Sequence, residues 1–473
     1  MDNATRGAMM SFFVVSGIVI FTFMEPHDAQ GIPAFARKYN VNCTVCHTRP
    51  PQLNTFGERF LENGYQMPRT EDGGILGKRR LGDLTLEDTV SNYMAFRLRG
   101  NAVRNFDYKR GNGPGSDGDP EDRTELGFPQ TFNLFTAGTF TKNVGFFVEL
   151  ETNFEEDDGD QVLFERTFVS FNNLASSLGY QNVAHLRFGK IDPSAFFSYP
   201  THRQLLDVVR ADVASRASSA MALGPGNRTV INRIPLLPNA WAAKFFGIFD
   251  RSGTAILPFE PILFNAPNEM GIDIHGRPFG DWFLYQVGVV NGVKEGFGDS
   301  NNPKDWYVMG RLDYAKSDLF SASLSGFGYF GNNNVQVRPG NPVDVSMNRY
   351  GIGARIRYKM VDIYGAYTID RVTDLPSGLA PNFDSTATGV TVEADVFATD
   401  RLLLSTRFDS LDAGGVRSLR KSSTILAFQA KYYLRTNIAL FVRDDVNLRK
   451  AERGTSAPRN FRNAFLVGAD IIY

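Results

Sequence analysis

The chain has 473 residues, enough for two or three ordinary domains, with a net charge of −1 and an unusual load of 45 Gly, 40 Phe and 17 Tyr. Near-neutrality excludes nucleic-acid binding, which needs a basic face, and a mean hydropathy of −0.22 excludes a polytopic helical membrane protein. Glycine and aromatics without long apolar runs match the composition of a transmembrane β-barrel.

Residues 1–31 read as a secretory signal peptide. An apolar run from Ala8 to Met24 follows a leader carrying Arg6, and Ala29-Gln30-Gly31 offers a small-x-small cleavage site before Ile32. The competing reading is an uncleaved anchor, because Asp2 offsets Arg6. No later run reaches the ~18 apolar residues that a membrane helix requires.

Residues 32–88 form the next unit, expected to be a small α-helical head. Both cysteines of the chain lie in Cys43-Thr44-Val45-Cys46-His47, which also holds one of its five histidines. C-x-x-C-H is the attachment pattern of a c-type haem. Thiols at i and i+3 reach the two vinyl groups along one porphyrin edge, and the adjacent imidazole becomes the proximal iron ligand. The alternatives are weaker. Zinc needs about four N or S ligands, a thioredoxin-like pair needs a βαβ setting, and a plain disulfide leaves His47 unexplained. After Pro50 and Pro51 a helix is expected, with Leu53, Phe56, Phe60 and Leu61 as its apolar stripe and Gly64 as its C-terminal stop. Gly57 within it costs about 1 kcal/mol relative to Ala, which close approach to a porphyrin face would offset. About 57 residues are few to bury a haem unaided, so the head is expected to lean on, or insert into, the C-terminal remainder of the chain.

Residues 89–473 show segments of about ten residues with period-2 patterning, expected to form 16–18 antiparallel strands. Trp306, Val308, Gly310, Leu312 and Tyr314 alternate with Tyr307, Met309, Arg311 and Asp313. Val144, Phe146, Val148 and Leu150 alternate with Gly145, Phe147, Glu149 and Glu151. A soluble sandwich shows such alternation too. The connections decide for a barrel: short turns near 141–143, 315–318, 360–362, 399–400 and 435–437 alternate with long polar stretches near 105–128, 192–238, 332–345, 374–385, 411–420 and 449–461. Short periplasmic turns and long external loops are outer-membrane barrel topology. The alternating end Phe465-x-Val467-x-Ala469-x-Ile471-x-Tyr473 fits the final strand of such a barrel. The fold class expected is therefore all-β, a transmembrane barrel carrying a small helical head, located in the outer membrane of a Gram-negative-type bacterium.

Taken together, the chain resembles the fused cytochrome–porins of iron-oxidising bacteria, a family proposed to oxidise Fe(II) at the outer membrane. The resemblance rests on Pro33-Ala-Phe-Ala-Arg-Lys-Tyr39, Cys43-x-x-Cys46-His47, Leu53-Asn-x-Phe-Gly57, Phe60 and Gly64-Tyr65; the barrel is similar only in length and pattern. It implies one covalent haem c, and electron passage from extracellular Fe(II) or another surface reductant to a periplasmic cytochrome or cupredoxin. The other readings are a solute-diffusion porin with an accessory haem, and a conduit running in the opposite direction.

For the iron, Cys43 and Cys46 are the thioether positions and His47 the proximal ligand. Met67 is the candidate sixth ligand, since a thioether raises the reduction potential; its competing role is to pack on the ring. His185 and His202 are further candidates, while His275 falls on a strand and reads as structural. A hydrocarbon core of ~30 Å is long for one haem to bridge, so the head is expected to plug the lumen. Inward charges at Glu149, Glu151, Arg311, Asp313, Glu393, Asp395, Arg407, Asp409 and Arg443 could hold it, or simply line an aqueous pore. Two acidic stretches, Asp117 to Asp122 and Glu155 to Asp160, read as solvated loops, with attraction of divalent cations as the sharper alternative.

Overall fold

The computed structural model describes residues 33–49, 52–67, 92–108, 123–126, 128–129, 131–141, 143–153, 162–193, 196–197, 246–249, 255–260, 269–291, 303–317, 319–336, 342–373, 386–412, 423–435, 437–448 and 461–473. The expected leader, Pro50, Pro51, His202 and both acidic stretches lie outside them.

Two helices, α1 (Pro33–Tyr39) and α2 (Thr55–Glu62), flank a 3-10 turn at Cys43–Val45 and a two-stranded hairpin of β1 (His47–Arg49) and β2 (Gln52–Leu53). Helix α2 starts later than its apolar spacing predicts. Leu53 pairs with His47 in the hairpin, and Asn54, extended at φ −84° and ψ 179°, takes the N-cap. Phe56 accordingly faces outward at 36% exposure, while Glu62 is buried. The stop at Gly64 is where the sequence places it: Gly64 adopts φ +65°. Tyr65 N–H donates to Phe60 O at 2.9 Å and Gly64 N–H to Leu61 O at 3.1 Å, the paired bonds of a Schellman motif.

The wall then runs through β3 (Met94–Tyr108), β4 (Arg123–Leu126), β5 (Thr131–Thr141), β6 (Val144–Asn153), β7 (Val162–Phe171) and β8 (His185–Ile191). A separate hairpin, β9 (Phe246–Phe249) with β10 (Ala255–Glu260), pairs only with itself among the described residues. The wall resumes with β11 (Glu269–Gly276), β12 (Phe283–Val290), β13 (Asp305–Ser317), β14 (Phe320–Gln336), β15 (Pro342–Tyr358) and β16 (Val361–Thr373). It finishes with β17 (Thr386–Phe397), β18 (Leu402–Asp412), β19 (Ser423–Arg435), β20 (Ile438–Asn447) and β21 (Phe461–Ile472).

All pairings are antiparallel, and the sheet closes where β21 meets β3. Strands β4 and β5 pair with successive stretches of β3 and fill one place in the wall, which gives a sixteen-strand barrel. Closure leaves no edge with unmet backbone groups in lipid. Period-2 alternation is plain on β12 and β13. On β13, Tyr307, Met309 and Arg311 are buried toward the lumen, while Trp306, Val308 and Leu312 are 48%, 41% and 45% exposed on the outside. The short links from β5 to β6, β13 to β14, β15 to β16, β17 to β18 and β19 to β20 lie at one end, together with the longer connections 172–184 and 277–282. The links from β3 to β4, β12 to β13, β16 to β17, β18 to β19 and β20 to β21 lie at the other. A closed antiparallel barrel with an apolar exterior and short turns gathered at one end is an outer-membrane barrel.

Candidate functional site

The C-x-x-C-H stretch is built by short-range bonds. Val45 N–H donates to Asn42 O and Cys46 N–H to Cys43 O, both at 3.0 Å, which winds the cysteines into a single turn. They are free thiols, Cys43 buried and Cys46 half-buried. Burial pushes the Cys43 thiol up to about 12, with Cys46 as the lesser cause, and burial pushes Cys46 up to about 11. His47 is the first residue of β1 and is half-buried, whereas Thr44 and Val45 face outward.

Helix α2 is tied to this turn by Asn54. Its side-chain amide donates to Thr44 O at 3.1 Å and to Val45 O at 3.0 Å, and its Oδ1 accepts from Gly57 N at 2.9 Å. Its backbone N–H donates to Cys46 O at 2.9 Å. Gly57 is required by the same packing: a Cβ there would lie 2.0 Å from the Cys46 carbonyl oxygen. The close approach that Gly57 serves is therefore to the peptide preceding His47.

The head rests against inward-facing side chains of the wall. Glu62 receives Arg277 at 2.7 and 2.9 Å and Arg311 at 2.9 Å, with Arg59 from its own helix at 3.1 Å. Glu58 receives Arg311 at 3.2 Å and Arg355 at 2.7 Å. Arg355 also donates to Leu53 O at 3.2 Å and pairs with Asp362 at 2.7 Å. Asp362 in turn accepts from the buried Gln52. Arg357 donates to Thr48 Oγ1 at 2.8 Å, directly beside His47 in sequence. Two carboxylates on one helix face are each shared among several guanidiniums, which offsets part of the cost of burying them.

On the opposite arc stacked rings and a few polar bonds make the contact. Tyr65 stacks on Phe147 of β6 at 5.1 Å, and Phe35 stacks on Tyr65 at 5.2 Å. Gly145 of β6 leaves room for the head, since a Cβ there would lie 2.8 Å from Gly64 O. Asn173 reaches Asn63 Oδ1 at 3.2 Å from the β7–β8 connection. Arg37 donates to Met94 O at 2.8 Å and Lys38 to Thr139 Oγ1 at 3.3 Å. These partners sit near the short turns of their strands, so the head occupies the short-turn end of the lumen rather than its middle.

Among the sequence candidates, Cys43, Cys46 and His47 fall on one turn, and Met67 packs partly buried against the core that includes Phe35, Phe60 and Tyr65. His185 is seated in the wall. It lies opposite His275 across β8 and β11 and stacks on that ring at 5.2 Å, and its Nδ1 accepts from Asn173 N–H at 3.4 Å. His275 has the structural role its strand position implies, with Nε2 bonded to Glu62 O at 3.0 Å. Of the inward charges named from sequence, Arg311 and Asp313 join the head network. Glu149 pairs instead with Arg166, Arg407 with Glu393 and Asp409, and Arg443 with Asp445. Arg277, Arg355, Arg357, Asp362 and His275 carry the seat without having been singled out for it. The alternation in Arg355-Ile356-Arg357 marks both arginines as inward, but their partners lie about three hundred residues earlier in the chain.

No family model matches this chain, and no curated protein matches it. Among solved structures, the anion-selective porin from Comamonas acidovorans is 16% identical, with 80% of this chain and 98% of that one covered and a TM-score of 0.47. Salmonella typhi OmpF in complex with daunomycin is 13% identical, covering 80% and 97%, with a TM-score of 0.45. The loop-L8 deletion mutant of Vibrio cholerae OmpT is 10% identical, covering 80% and 98%, with a TM-score of 0.43.

Proposed function

We propose that this outer-membrane barrel carries one covalent haem c on Cys43 and Cys46, with His47 as proximal ligand, and passes electrons from extracellular Fe(II) to a periplasmic cytochrome or cupredoxin. The observation that carries the reading is a C-x-x-C-H turn clamped to a helix that is itself fixed inside a closed barrel. The residues present fit the group. Two unbridged thiols lie one turn apart with the imidazole next in line, and the outward-facing Thr44 and Val45 leave that side of the turn open. When bound, the haem supplies a one-electron couple, so no bond to a substrate has to be made or broken.

The chain's own residues set the geometry of transfer. Glu58 and Glu62 hold the turn against the wall through Arg277, Arg311 and Arg355. At the periplasmic mouth the site is within reach of a soluble carrier. On the outer side, a donor has to travel down the polar lumen, which favours a small hydrated cation over a bulky partner. Met67 is the proposed sixth ligand. Diffusion of solutes through a porin-like lumen is the second reading, favoured by the charged wall formed by Glu393, Arg407 and Asp409.

The test is anaerobic mixing of purified oxidised protein with Fe(II) while the absorption spectrum is recorded. Reduced haem bands are expected within the mixing experiment. A haem that stays oxidised with an adequately reducing donor overturns the Fe(II) assignment, and a chain without haem overturns the whole reading.

A further inference from the structure

Three consecutive carbonyl groups, those of Thr44, Val45 and Cys46, accept hydrogen bonds from one residue. The Asn54 side chain takes the first two at 3.1 and 3.0 Å, and its backbone N–H takes the third at 2.9 Å. The same side chain caps α2 by accepting from Gly57 N–H at 2.9 Å, and the Asn54 backbone carbonyl accepts from Glu58 N–H at 3.0 Å. Every peptide between Cys43 and His47 except the first is thereby tied to the start of α2. That helix is in turn fixed to the wall through Glu58 and Glu62.

We infer that Asn54 is a positioning residue for the haem ligand: by fixing the Cys46–His47 peptide it sets the direction in which the imidazole leaves the backbone, and hence its orientation under the porphyrin. The inference rests on the haem c reading of the site. Two separable functions meet in this side chain. Its oxygen caps a helix, a task that serine also performs. Its amide group donates twice toward the turn, which the shorter serine hydroxyl cannot do while it accepts from Gly57 N–H. Asparagine combines an acceptor and two donors on one planar group of the right length. Aspartate would keep the cap but set a negative charge against the Thr44 and Val45 carbonyls, so serine is the cleaner probe.

The experiment compares full-length wild type, Asn54→Ser and Asn54→Ala, each purified from membranes. Covalent haem is read by mass, and the ferric signal by electron paramagnetic resonance, whose g values report the plane of the axial imidazole. Wild type is expected to carry one haem with a single set of g values. Asn54→Ser is expected to keep the melting temperature and at least half the haem, while its signal broadens or splits into a second set. Asn54→Ala adds a lower melting temperature to the same spectral change. An unaltered signal in haem-loaded Asn54→Ser overturns the inference alone, since a merely structural residue would shift stability and leave the spectrum in place. A wild type without haem overturns the inference together with the haem c reading.

Discussion

A methyl group on Gly57 would fall 2.0 Å from the Cys46 carbonyl oxygen and 2.9 Å from a Leu53 methyl. Alanine there gains about 1 kcal/mol of helix propensity, but overpacking at a fixed backbone contact costs about 1–3 kcal/mol. Gly57→Ala is therefore expected to loosen the head, with faster proteolysis between residues 33 and 67 while the barrel keeps its folded migration in detergent. Met67→Ala is expected to lower the haem reduction potential, because a thioether ligand raises it. A redox titration and spectrum matching wild type would leave Met67 as packing alone. At this scale the sequence is readable where chemistry is contiguous. Cys43, Cys46 and His47 announce themselves by spacing. Glu62 does not: it occupies a helix face that counts as polar, and its burial depends on Arg277 and Arg311, more than two hundred residues away in the chain.

At the level of elements, α2 is fastened by charge on one side and by stacked rings on the other. Removing one partner from a buried ion pair costs about 3–5 kcal/mol. Glu62→Gln should fall near the low end, because Arg277 and Arg311 both keep Asp313, at 2.6 and 3.0 Å. The double change Glu58→Gln with Glu62→Gln removes both carboxylate charges from the head and leaves Arg311 with Asp313, and Arg355 with Asp362 and the Leu53 carbonyl. It is expected to raise ion conductance in planar bilayers severalfold over wild type, with protease reaching the head from the short-turn side; unchanged conductance and protection would mean that these carboxylates do not hold the plug. The alternation of the strands and the positions of their turns were legible because each strand has one lipid face and one lumen face, and that imprints a period of two. The start of α2 was not, because the hairpin pairing of Leu53 with His47 takes a residue that fits a helical stripe.

At the scale of the whole molecule, residues 33–49 and 52–67 sit in the short-turn end of the barrel. Single-channel recordings of wild type should accordingly show low conductance for a sixteen-strand barrel, and a large, steady open-pore current would favour the diffusion reading. The strand number illustrates the limit of patterning. The pattern over 250–277 leaves the count at sixteen or eighteen, and the strands that decide it are β9 and β10. They pair with each other and not with the sheet, among the described residues. Barrel closure is dictated by the need to satisfy every backbone group, but which strand-like segments join the wall is fixed by long-range pairing.

Helix α1 touches the line along which the barrel closes. Arg37 donates to Met94 O at the start of β3 and lies 5.5 Å over the ring of Tyr473. Phe96 and Tyr473 join the two strands by reciprocal backbone bonds of 2.7 and 2.8 Å. These strands are the farthest apart in sequence, so the berth of Arg37 is half built until they meet. Arg37 can meet Met94 and Tyr473 together only when the seam is shut, so the seating of α1 is coupled to barrel closure, and a change that opens the seam is expected to loosen the head as well.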